Sequence, residues 1–312
     1  MNFIRISAIN KGLADNRADY ISRSEDNYYS QLRFSAEQIM IKKDTHPLVL
    51  ISGPSGSGKT TSALKIANII GNSGTKVHTL SMDNYFLPYD SGDLPVDENG
   101  NTDLESPYRL DIKLFGEHLK KLSACEPIDI PIFDFASQLR KGSVRMCRNE
   151  NEIVIIEGIH ALNPEVTGSG TDDFTTRIYV SVRTRITSAD QTVLHPRLIR
   201  LMRRLCRDKL FRGRQFEDIF DMFESVSRGE ELYIMPHKQR ATINIDTFMA
   251  YEASVYTGFL REDLALEKSR LEKIANYDLI MKFMNELHPI RSDGIPDDSL
   301  IREFVGGSSL QY

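Results

Sequence analysis

The sequence predicts an α/β protein with a mostly parallel central sheet and helices on both faces. Short apolar runs typical of buried strands occur at 48–52, 77–82, 153–159 and 178–182. Helical patterns at 61–70 and 111–123 lie between some of these runs. Alternation of strand and helix is typical of a parallel sheet, because a helix can carry the chain back to the edge where the previous strand began. A glycine-rich stretch, GPSGSGKTT at 53–61, joins the first strand to the first helix.

The glycine-rich stretch matches the phosphate-binding pattern G-x-x-x-x-G-K-[ST] at Gly53, Gly58, Lys59 and Thr60. Glycines let the backbone approach phosphates closely, and successive N–H groups at a helix N-terminus bind anions. The lysine adds a positive charge near the β- and γ-phosphates, and the threonine hydroxyl can bind Mg²⁺. Since a strand precedes the stretch and a helix follows it, we favour a P-loop NTPase fold that binds ATP over a chance glycine-serine loop. The predicted nucleotide contacts in this loop are Gly53, Ser55, Gly56, Ser57, Gly58, Lys59, Thr60 and Thr61.

Length and composition limit the classes of partner. A chain of 312 residues can form one large domain with a sizeable core. The net charge of −5 gives no reason to expect nucleic acid or an anionic membrane as the main partner. The cysteines, at 125, 147 and 206, form no C-x-x-C pair, which indicates a reducing compartment. No apolar run approaches the ~20 residues of a membrane span, and residues 1–10 do not read as a signal peptide.

These observations predict a cytoplasmic protein whose partner is a small molecule. The sequence leaves the oligomeric state open, a homo-oligomer included. Along the chain we expect an N-terminal extension at 1–45 whose helical stretch is YYSQLRFSAEQIMIKK at 28–43, a phosphate-binding domain at 46–288 and a C-terminal tail at 289–312. The stretch 83–111 is rich in Asp, Asn, Gly and Pro, and a loop of this length in a compact domain is usually functional.

Two acids follow apolar runs that we predict to be strands. Asp83 ends KVHTLSMD, and Glu157 ends IVIIE. Ligands of open α/β sheets bind beyond the carboxyl ends of the strands, where a carboxylate can hold Mg²⁺ directly or through water. Transfer of a phosphoryl group to a hydroxyl also needs a group that accepts the hydroxyl proton, and Asp83 is our candidate for this base. The alternative is that either acid is a turn residue or a helix N-cap.

An arginine-rich segment at 195–215 is predicted to be helical. Its arginines at 197, 200, 204 and 207 fall on one helix face, and Arg212 and Arg214 follow around Gly213, a candidate hinge. Guanidinium groups suit phosphate oxygens and can stabilise charge in a transition state. We therefore predict a lid that closes over ATP and excludes water. An RNA-binding helix and an ordinary surface helix are the alternatives.

Several segments together resemble a known family. The stretches GPSGSGKTT, SMDNYF, PIFDFASQLR, IIEGIHALNPE and RRLCRDKLFRGR are similar to motifs of the uridine kinase and phosphoribulokinase family of P-loop kinases. The chain is more similar still to a bacterial uridine kinase-like, or nucleoside kinase, branch. In that branch, segments like SVSRGEELYIMPHKQRA, AYEASVY and IPDDSLIREFVGGSS also occur. The resemblance covers residues from about 45 to 312.

The resemblance implies a role for individual positions. Lys59 and Thr60 match the phosphate and Mg²⁺ residues, Asp83 matches the catalytic acid, and Glu157 matches the carboxylate on the metal side. Glu105 falls where uridine kinases have an aspartate that binds ribose hydroxyls, and Arg140 falls on an arginine of the acceptor pocket. The arginines that match those of the lid are Arg204, Arg207, Arg212 and Arg214, of which Arg207 is also expected to contact the acceptor during transfer.

Two positions depart from the pattern P-V-Y-D-F-x-x-H-x-R of uridine kinases. Phe133 stands at the tyrosine position and Gln138 at the histidine position, both of which face the pyrimidine base in uridine kinases. Phenylalanine cannot form a hydrogen bond with the base, and glutamine can do so only through its amide. The kinase interpretation is unaffected by these changes, but uridine becomes a less favoured acceptor.

Three functions follow in order of preference. The first is an ATP-dependent kinase for a small-molecule hydroxyl, above all a nucleoside 5′-OH. The second is the same reaction with another alcohol, such as a sugar, a sugar phosphate or a vitamin-like alcohol, because fold does not fix the acceptor. The third is a nucleotide-dependent switch or ATPase that is not a kinase. The sequence does not assign His160, in EGIHALNPE, to the site or to the core.

Overall fold

The computed structural model describes residues 2–92, 94–98 and 100–311. The strands in this part of the chain are β1 (Asn2–Arg5), β2 (Leu48–Ser52), β3 (Val77–Ser81), β4 (Ile128–Asp134), β5 (Leu139–Met146), β6 (Ile153–Glu157), β7 (Thr175–Ser181), β8 (Thr184–Thr187), β9 (Val193–Leu194) and β10 (Ile243–Asp246). The α-helices are α1 (Ile6–Lys42), α2 (Lys59–Gly71), α3 (Ile112–Ser123), α4 (Pro164–Thr167), α5 (Pro196–Arg212), α6 (Phe216–Gly229), α7 (Glu252–Leu266), α8 (Lys268–Leu271), α9 (Tyr277–Glu286) and α10 (Arg302–Val305). None of the helices in the described residues is long and apolar enough to cross a membrane.

The central sheet has the order β10-β7-β2-β6-β3, and all its strands are parallel. The predicted parallel α/β architecture is confirmed. Strand β2 is buried along its whole length, and its side chains alternate between two cores. Val49 and Ile51 pack with α1, α2, α5 and α7, whereas Leu48 and Leu50 pack with α3 on the other face. Strands buried on both faces are apolar throughout, which explains the unbroken run LVLIS.

Several strands that the sequence analysis missed lie outside its strongest apolar runs. Strand β10 extends the parallel sheet beyond β7, β4 and β5 form an antiparallel hairpin, and β1, β8 and β9 form a small sheet of their own. Strand β5, LRKGSVRM, is largely exposed and polar, so its sequence carries no apolar alternation that would predict a strand.

The predicted helical stretch near residues 28–43 is part of a much longer helix. Helix α1 begins at Ile6 and is interrupted at Asn16, where φ is −158° and ψ is 93°. The part before this interruption is mostly polar and buries Ile6, Ile9 and Leu13. Three apolar positions in a polar stretch are a weak signal for an amphipathic helix, which explains why the sequence analysis placed the start too late.

The C-terminal residues pack on the helix that follows the glycine-rich loop. Leu300 lies against Gly58, and the Thr61 hydroxyl donates to Glu303 at 2.5 Å. Lys65 forms an ion pair with Asp298 at 2.7 Å. Helix α1 reaches the same helix through Tyr28, whose hydroxyl lies 2.8 Å from that of Ser62. Both the predicted extension and the predicted tail therefore support the nucleotide loop.

Candidate active site

The glycine-rich loop connects β2 to α2 at the carboxyl edge of the sheet. A side chain at Gly53 would place its Cβ 2.0 Å from the Val180 carbonyl oxygen, so the position has no room for one. Gly58 has a φ of 85°, a conformation that glycine adopts without strain, and it is the N-cap of α2. The Lys59 ammonium donates to the Pro54 carbonyl at 3.3 Å and thus lies over the loop.

Helix α5 holds the loop from behind. Arg200 donates to the Ser55 carbonyl at 3.1 Å, and Arg203 donates to the Gly56 carbonyl at 3.0 Å. The Thr247 hydroxyl, just beyond β10, donates to the Ser57 carbonyl at 2.7 Å. Because the N–H of a trans peptide points opposite to its carbonyl, these bonds turn the Gly56 N–H away from α5 and the Gly58 N–H away from Thr247. The loop is thereby prepared to donate to an anion.

The arginines of α5 that support the loop are held by acidic partners. Arg203 is completely buried and forms two hydrogen bonds with the equally buried Glu252, at 2.8 and 3.1 Å. Arg200 forms an ion pair with Glu230. Of the arginines predicted to share one helix face, Arg200 therefore supports the loop from inside the protein, whereas Arg197 is exposed. Arg203, which lies outside that face, is the most buried arginine of α5.

The predicted lid arginines converge on one carboxylate. Asp208 is completely buried and lies within 3.5 Å of Arg204, 3.0 Å of Arg207, 3.3 Å of Arg212 and 3.2 Å of Arg214. One negative charge cannot balance four positive ones, so the cluster keeps a positive excess that suits a phosphate. Sequence analysis did not single out Asp208, although it is the acid in the run RRLCRDKLFRGR.

The segment predicted as a lid differs in burial along its length. Residues 198–206 are buried, whereas Leu210, Phe211 and Arg212 at the end of α5 are exposed. Gly213 follows with a φ of 62° and ends the helix. A lid that closes on nucleotide stays a prediction, and this packing limits the moving part to residues from about 209 to 215.

The predicted acids Asp83 and Glu157 lie at the ends of neighbouring strands. Glu157 is the last residue of β6 and pairs in register with Ser81, the last residue of β3, and Asp83 follows two positions later. Burial raises the pKa of Asp83, against the opposing effect of Lys59. Burial, with a smaller contribution from Asp83, raises the pKa of Glu157 to about 7. The structure thus brings together two carboxylates and the lysine of the loop.

The chemistry of these groups fits Mg²⁺, which prefers carboxylate and hydroxyl oxygens. A cation held by Asp83 and Glu157 would offset the burial that raises both pKa values and the repulsion by Asp83 that adds to the shift of Glu157. Thr60, the second residue of α2, would complete the protein ligands, and the nucleotide phosphates would supply others. When bound, Mg²⁺ neutralises charge on the phosphates.

The half-buried Glu105 and the buried His160 are neighbouring polar residues that both interact electrostatically with Lys59. Burial raises the pKa of Glu105 to about 7, with Arg204 and Lys59 acting against it. Burial lowers the pKa of His160 to about 4, so its imidazole is neutral at pH 7. Neither the Glu105 Oε2 atom nor either ring nitrogen of His160 has a well-formed hydrogen bond with the described residues, although the Glu105 backbone lies next to the ring. Polar atoms buried in this way are candidates for contacts with a substrate.

The predicted base-facing residues belong to an aromatic cluster. The rings of Phe133 and Phe135 lie edge to face at 5.3 Å, and the Phe86 ring packs against Phe133 at 5.6 Å. Gln138 uses its amide within the protein: its Nε2 donates to the Phe135 carbonyl at 2.8 Å, and its Oε1 lies 3.4 Å from Arg109. An amide held by such contacts is less available to a pyrimidine than the free amide considered in the sequence analysis.

Arg140 ties the hairpin to the loop that carries Asp83. It donates to the carbonyls of Tyr85 and Phe86, each at 3.1 Å, and forms an ion pair with Asp111 at 3.1 Å. These bonds fix the position of β5 beside the site. Binding of the acceptor by Arg140 stays a prediction, and the contacts seen are with the protein itself.

The loop, the acids and the arginine cluster define a P-loop nucleotide-binding protein of the phosphotransferase type. The model of the Phosphoribulokinase / Uridine kinase family matches residues 48–253. A uridine kinase of Halobacterium salinarum is 31% identical over 229 residues, which are 73% of this chain and 91% of that protein. Uridine kinases of Staphylococcus aureus strains are 33% identical over 199 residues, 64% of this chain and 86% of theirs. The chain belongs to the phosphoribulokinase and uridine kinase family.

Two solved structures are also similar to the chain, at lower sequence identity than these relatives. A possible uridine kinase from Bacillus stearothermophilus has a TM-score of 0.45 and 17% identity, covering 70% of this chain and 98% of that one. D-glycerate 3-kinase from Cryptococcus neoformans has a TM-score of 0.47 and 14% identity, covering 65% of this chain and 88% of that one.

Proposed function

We propose that the protein is an ATP-dependent kinase that transfers the γ-phosphoryl group to a hydroxyl of a small molecule, in the manner of a uridine kinase, with a nucleoside 5′-OH as the first candidate. The observation that carries the proposal is the convergence of Lys59, Asp83 and Glu157 at the carboxyl edge of β2, β3 and β6. Family membership supports the same reaction class. Magnesium is the metal we expect, held by Thr60, Glu157 and Asp83.

In this proposal each residue of the chain has a limited task. The backbone of the loop and Lys59 hold the phosphates, and the arginines around Asp208 stabilise charge as the phosphoryl group moves. Asp83 accepts the proton of the acceptor hydroxyl. Glu105 binds hydroxyls of the acceptor.

A second candidate is the same transfer to an alcohol other than a nucleoside. The observation that favours it is the set of contacts around Phe133 and Gln138, because a phenyl ring and an amide already bonded to the chain offer little to a pyrimidine. We therefore expect uridine to be a poor acceptor despite the family.

The test is to incubate the protein with ATP and Mg²⁺ and a panel of nucleosides, sugars and other alcohols, and to detect products by mass spectrometry. A phosphorylated acceptor, dependent on ATP, supports a kinase. Formation of ADP and phosphate alone, at the same rate with and without every acceptor, would instead favour an ATPase or a switch. Uridine as the best acceptor, with a kcat/KM of roughly 10⁴ M⁻¹s⁻¹ or more, would contradict the expectation for Phe133 and Gln138.

A further inference from the structure

Arg109 is a buried cation without a matching acid. Its side chain is 3% exposed, and its Nε and Nη1 atoms have no hydrogen-bond partner among the described residues. Its Nη2 atom is 3.4 Å from Gln138 Oε1, which is a long contact. Burial lowers the pKa of Arg109, and no neighbouring carboxylate offsets the change. A guanidinium in this state has lost its water without gaining full replacement contacts.

The other buried arginines of the described residues have either a carboxylate partner or several carbonyl partners. Arg203 is bound by Glu252, and Arg200 by Glu230 and the Ser55 carbonyl. Arg148, 4% exposed, donates to carbonyls that include those of Leu122 and Ser123. Arg204, 7% exposed, has an Nε atom without a hydrogen-bond partner, but it forms an ion pair with Asp208 at 3.5 Å. Arg109 differs from these four buried arginines, because it has neither an ion pair nor a full set of hydrogen bonds among the described residues.

The position of Arg109 connects it to the acceptor side of the site. It ends the short 3₁₀ turn Pro107–Arg109, four residues after Glu105, and its guanidinium lies 5.5 Å from the centre of the Phe86 ring. Through Gln138 and Phe86 it contacts the cluster that contains Phe133. A cation–π contact offsets part of the cost of burial but leaves the N–H groups without acceptors.

We propose that Arg109 binds an anionic group, a carboxylate or a phosphate, on the phosphoryl acceptor. The proposal rests on the proposed kinase function and narrows its acceptor to an alcohol that also carries an acid group. The planar guanidinium presents paired N–H groups that match the two oxygens of a carboxylate or phosphate. The long contact with Gln138 can be exchanged for such an oxygen at little cost. A neutral acceptor would leave the guanidinium unpaired.

The main experiment compares matched acceptors: glycerol with glycerate, ribose with ribose 5-phosphate, and uridine with orotidine. The wild type should show a kcat/KM about 10²-fold higher for the anionic member of at least one pair. The carboxylate pairs and the phosphate pair distinguish the two kinds of anion. In Arg109→Ala this preference should disappear, mainly through a higher KM for the anionic acceptor, with a much smaller change for the neutral one. Arg109→Lys should restore part of it.

Arg145→Ala is the matched control, because Arg145 is an exposed arginine on β5 of the same hairpin. It should keep the preference of the wild type. Equal rates for neutral and anionic acceptors in the wild type would overturn the proposal, as would equal losses for both in Arg109→Ala.

A binding measurement keeps the proposal testable if no acceptor in the panel is phosphorylated, which would count against the kinase function itself. With a non-hydrolysable ATP analogue filling the loop, glycerate or ribose 5-phosphate should raise the melting temperature of the wild type and of Arg145→Ala, but not of Arg109→Ala. Identical shifts in all three proteins, or no shift in any, would overturn the role of Arg109.

Discussion

The two halves of the site differ in how their buried charges are satisfied. On the nucleotide side, Arg203 and Glu252 form a completely buried pair, and Asp208 gathers four arginines. On the acceptor side, Arg109 is buried and Glu105 is half-buried, and both have buried atoms with no hydrogen-bond partner among the described residues. The buried arginines of the first half have a carboxylate partner within the chain, whereas Arg109 in the second half has none among the described residues.

This difference is informative about what each half recognises. A phosphate group is the same in every nucleotide, so the chain can prepare its site with fixed internal pairs. An acceptor is recognised through groups that are left unpaired until it binds, and each such buried group costs about 1–3 kcal/mol while it waits. The unpaired atoms of Glu105 and Arg109 are therefore the groups with which we expect an acceptor to form contacts.

The largest effect is expected for Lys59→Ala, because the charge of Lys59 reaches both halves: it lowers the pKa values of Asp83, Glu105 and Glu157. Loss of this charge should reduce phosphoryl transfer by about 10³-fold or more, as measured by product formation at saturating ATP. Lys76→Ala, an exposed lysine paired with Glu152, is the control. Transfer near the wild-type rate in folded Lys59→Ala would remove the lysine from the mechanism.

The Asp83→Asn variant tests whether Asp83 is the base that accepts the proton of the acceptor hydroxyl. Asparagine keeps the size of aspartate but cannot accept the proton, so transfer should fall by about 10²–10⁴-fold. Binding of an ATP analogue, measured by calorimetry, should remain. Asp90→Asn alters an exposed acid of the same loop and should have wild-type activity. A loss of only a few-fold in Asp83→Asn would exclude Asp83 as the base.

The Arg203→Met variant should show how much the stability of the nucleotide side depends on the ion pair between Arg203 and Glu252. The substitution leaves Glu252 buried and unpaired, which should lower the free energy of unfolding by about 3–5 kcal/mol. The double variant Arg203→Met, Glu252→Leu should recover much of this loss. Urea denaturation is the measurement, and Arg197→Met, an exposed arginine on the same helix, should change stability by less than about 0.5 kcal/mol. Equal losses in the single and double variants would mean that the pair is not the cause.

The Glu105→Gln variant should show how much the unpaired carboxylate of Glu105 lowers the stability of the folded protein, because this effect depends on pH. The pKa of Glu105 is about 7 in the folded protein, above its usual 4.5. Between these values the folded state binds more protons than the unfolded state, so this group makes the protein less stable as pH rises from 4.5 through 7. At pH 8 the variant should be more stable than the wild type, by at most about 3 kcal/mol.

Melting temperatures at pH 5 and pH 8 test this expectation, since the advantage of Glu105→Gln should be about a quarter as large at pH 5 as at pH 8. Glu126→Gln alters an exposed glutamate and should follow the wild type at both values. The same advantage at both pH values would show that charge on Glu105 is not responsible.

The smallest effect concerns the end of the arginine helix. Amide exchange over residues 209–215 should slow when ATP and Mg²⁺ are added, because the arginines gain charge-assisted hydrogen bonds to phosphate. The buried stretch 198–206 serves as an internal control and should change little. Unchanged exchange over 209–215 at saturating nucleotide would contradict a lid.

The parts of the fold that sequence could predict are those that repeat a simple pattern. Strands β2 and β6 are buried on both faces and read as unbroken apolar runs, and the glycines around Lys59 follow a fixed spacing. Strand β10, INID, alternates over only four residues, and β5 is exposed and polar, so neither has a comparable signal.

The residues of the candidate site could be predicted only where a local sequence pattern marks them. Asp83 and Glu157 were found because each follows an apolar run, which is a local property. The pairing of Arg203 with Glu252, 49 residues apart, depends on how α5 packs against α7. The isolation of Arg109 depends on what is absent around it in the described structure, and a sequence has no way to record that absence.

The contacts between helix α2 and the C-terminal residues can form only late in the synthesis of the chain. Thr61 and its partner Glu303 are 242 positions apart, and Lys65 and Asp298 are 233 apart. A ribosome adds about 5–20 residues per second, so roughly 10–50 s separate the synthesis of the two partners. During that interval helix α2 lacks the packing of Leu300 on Gly58. The nucleotide loop, which is among the first parts of the domain to be synthesised, is therefore among the last to reach its final surroundings.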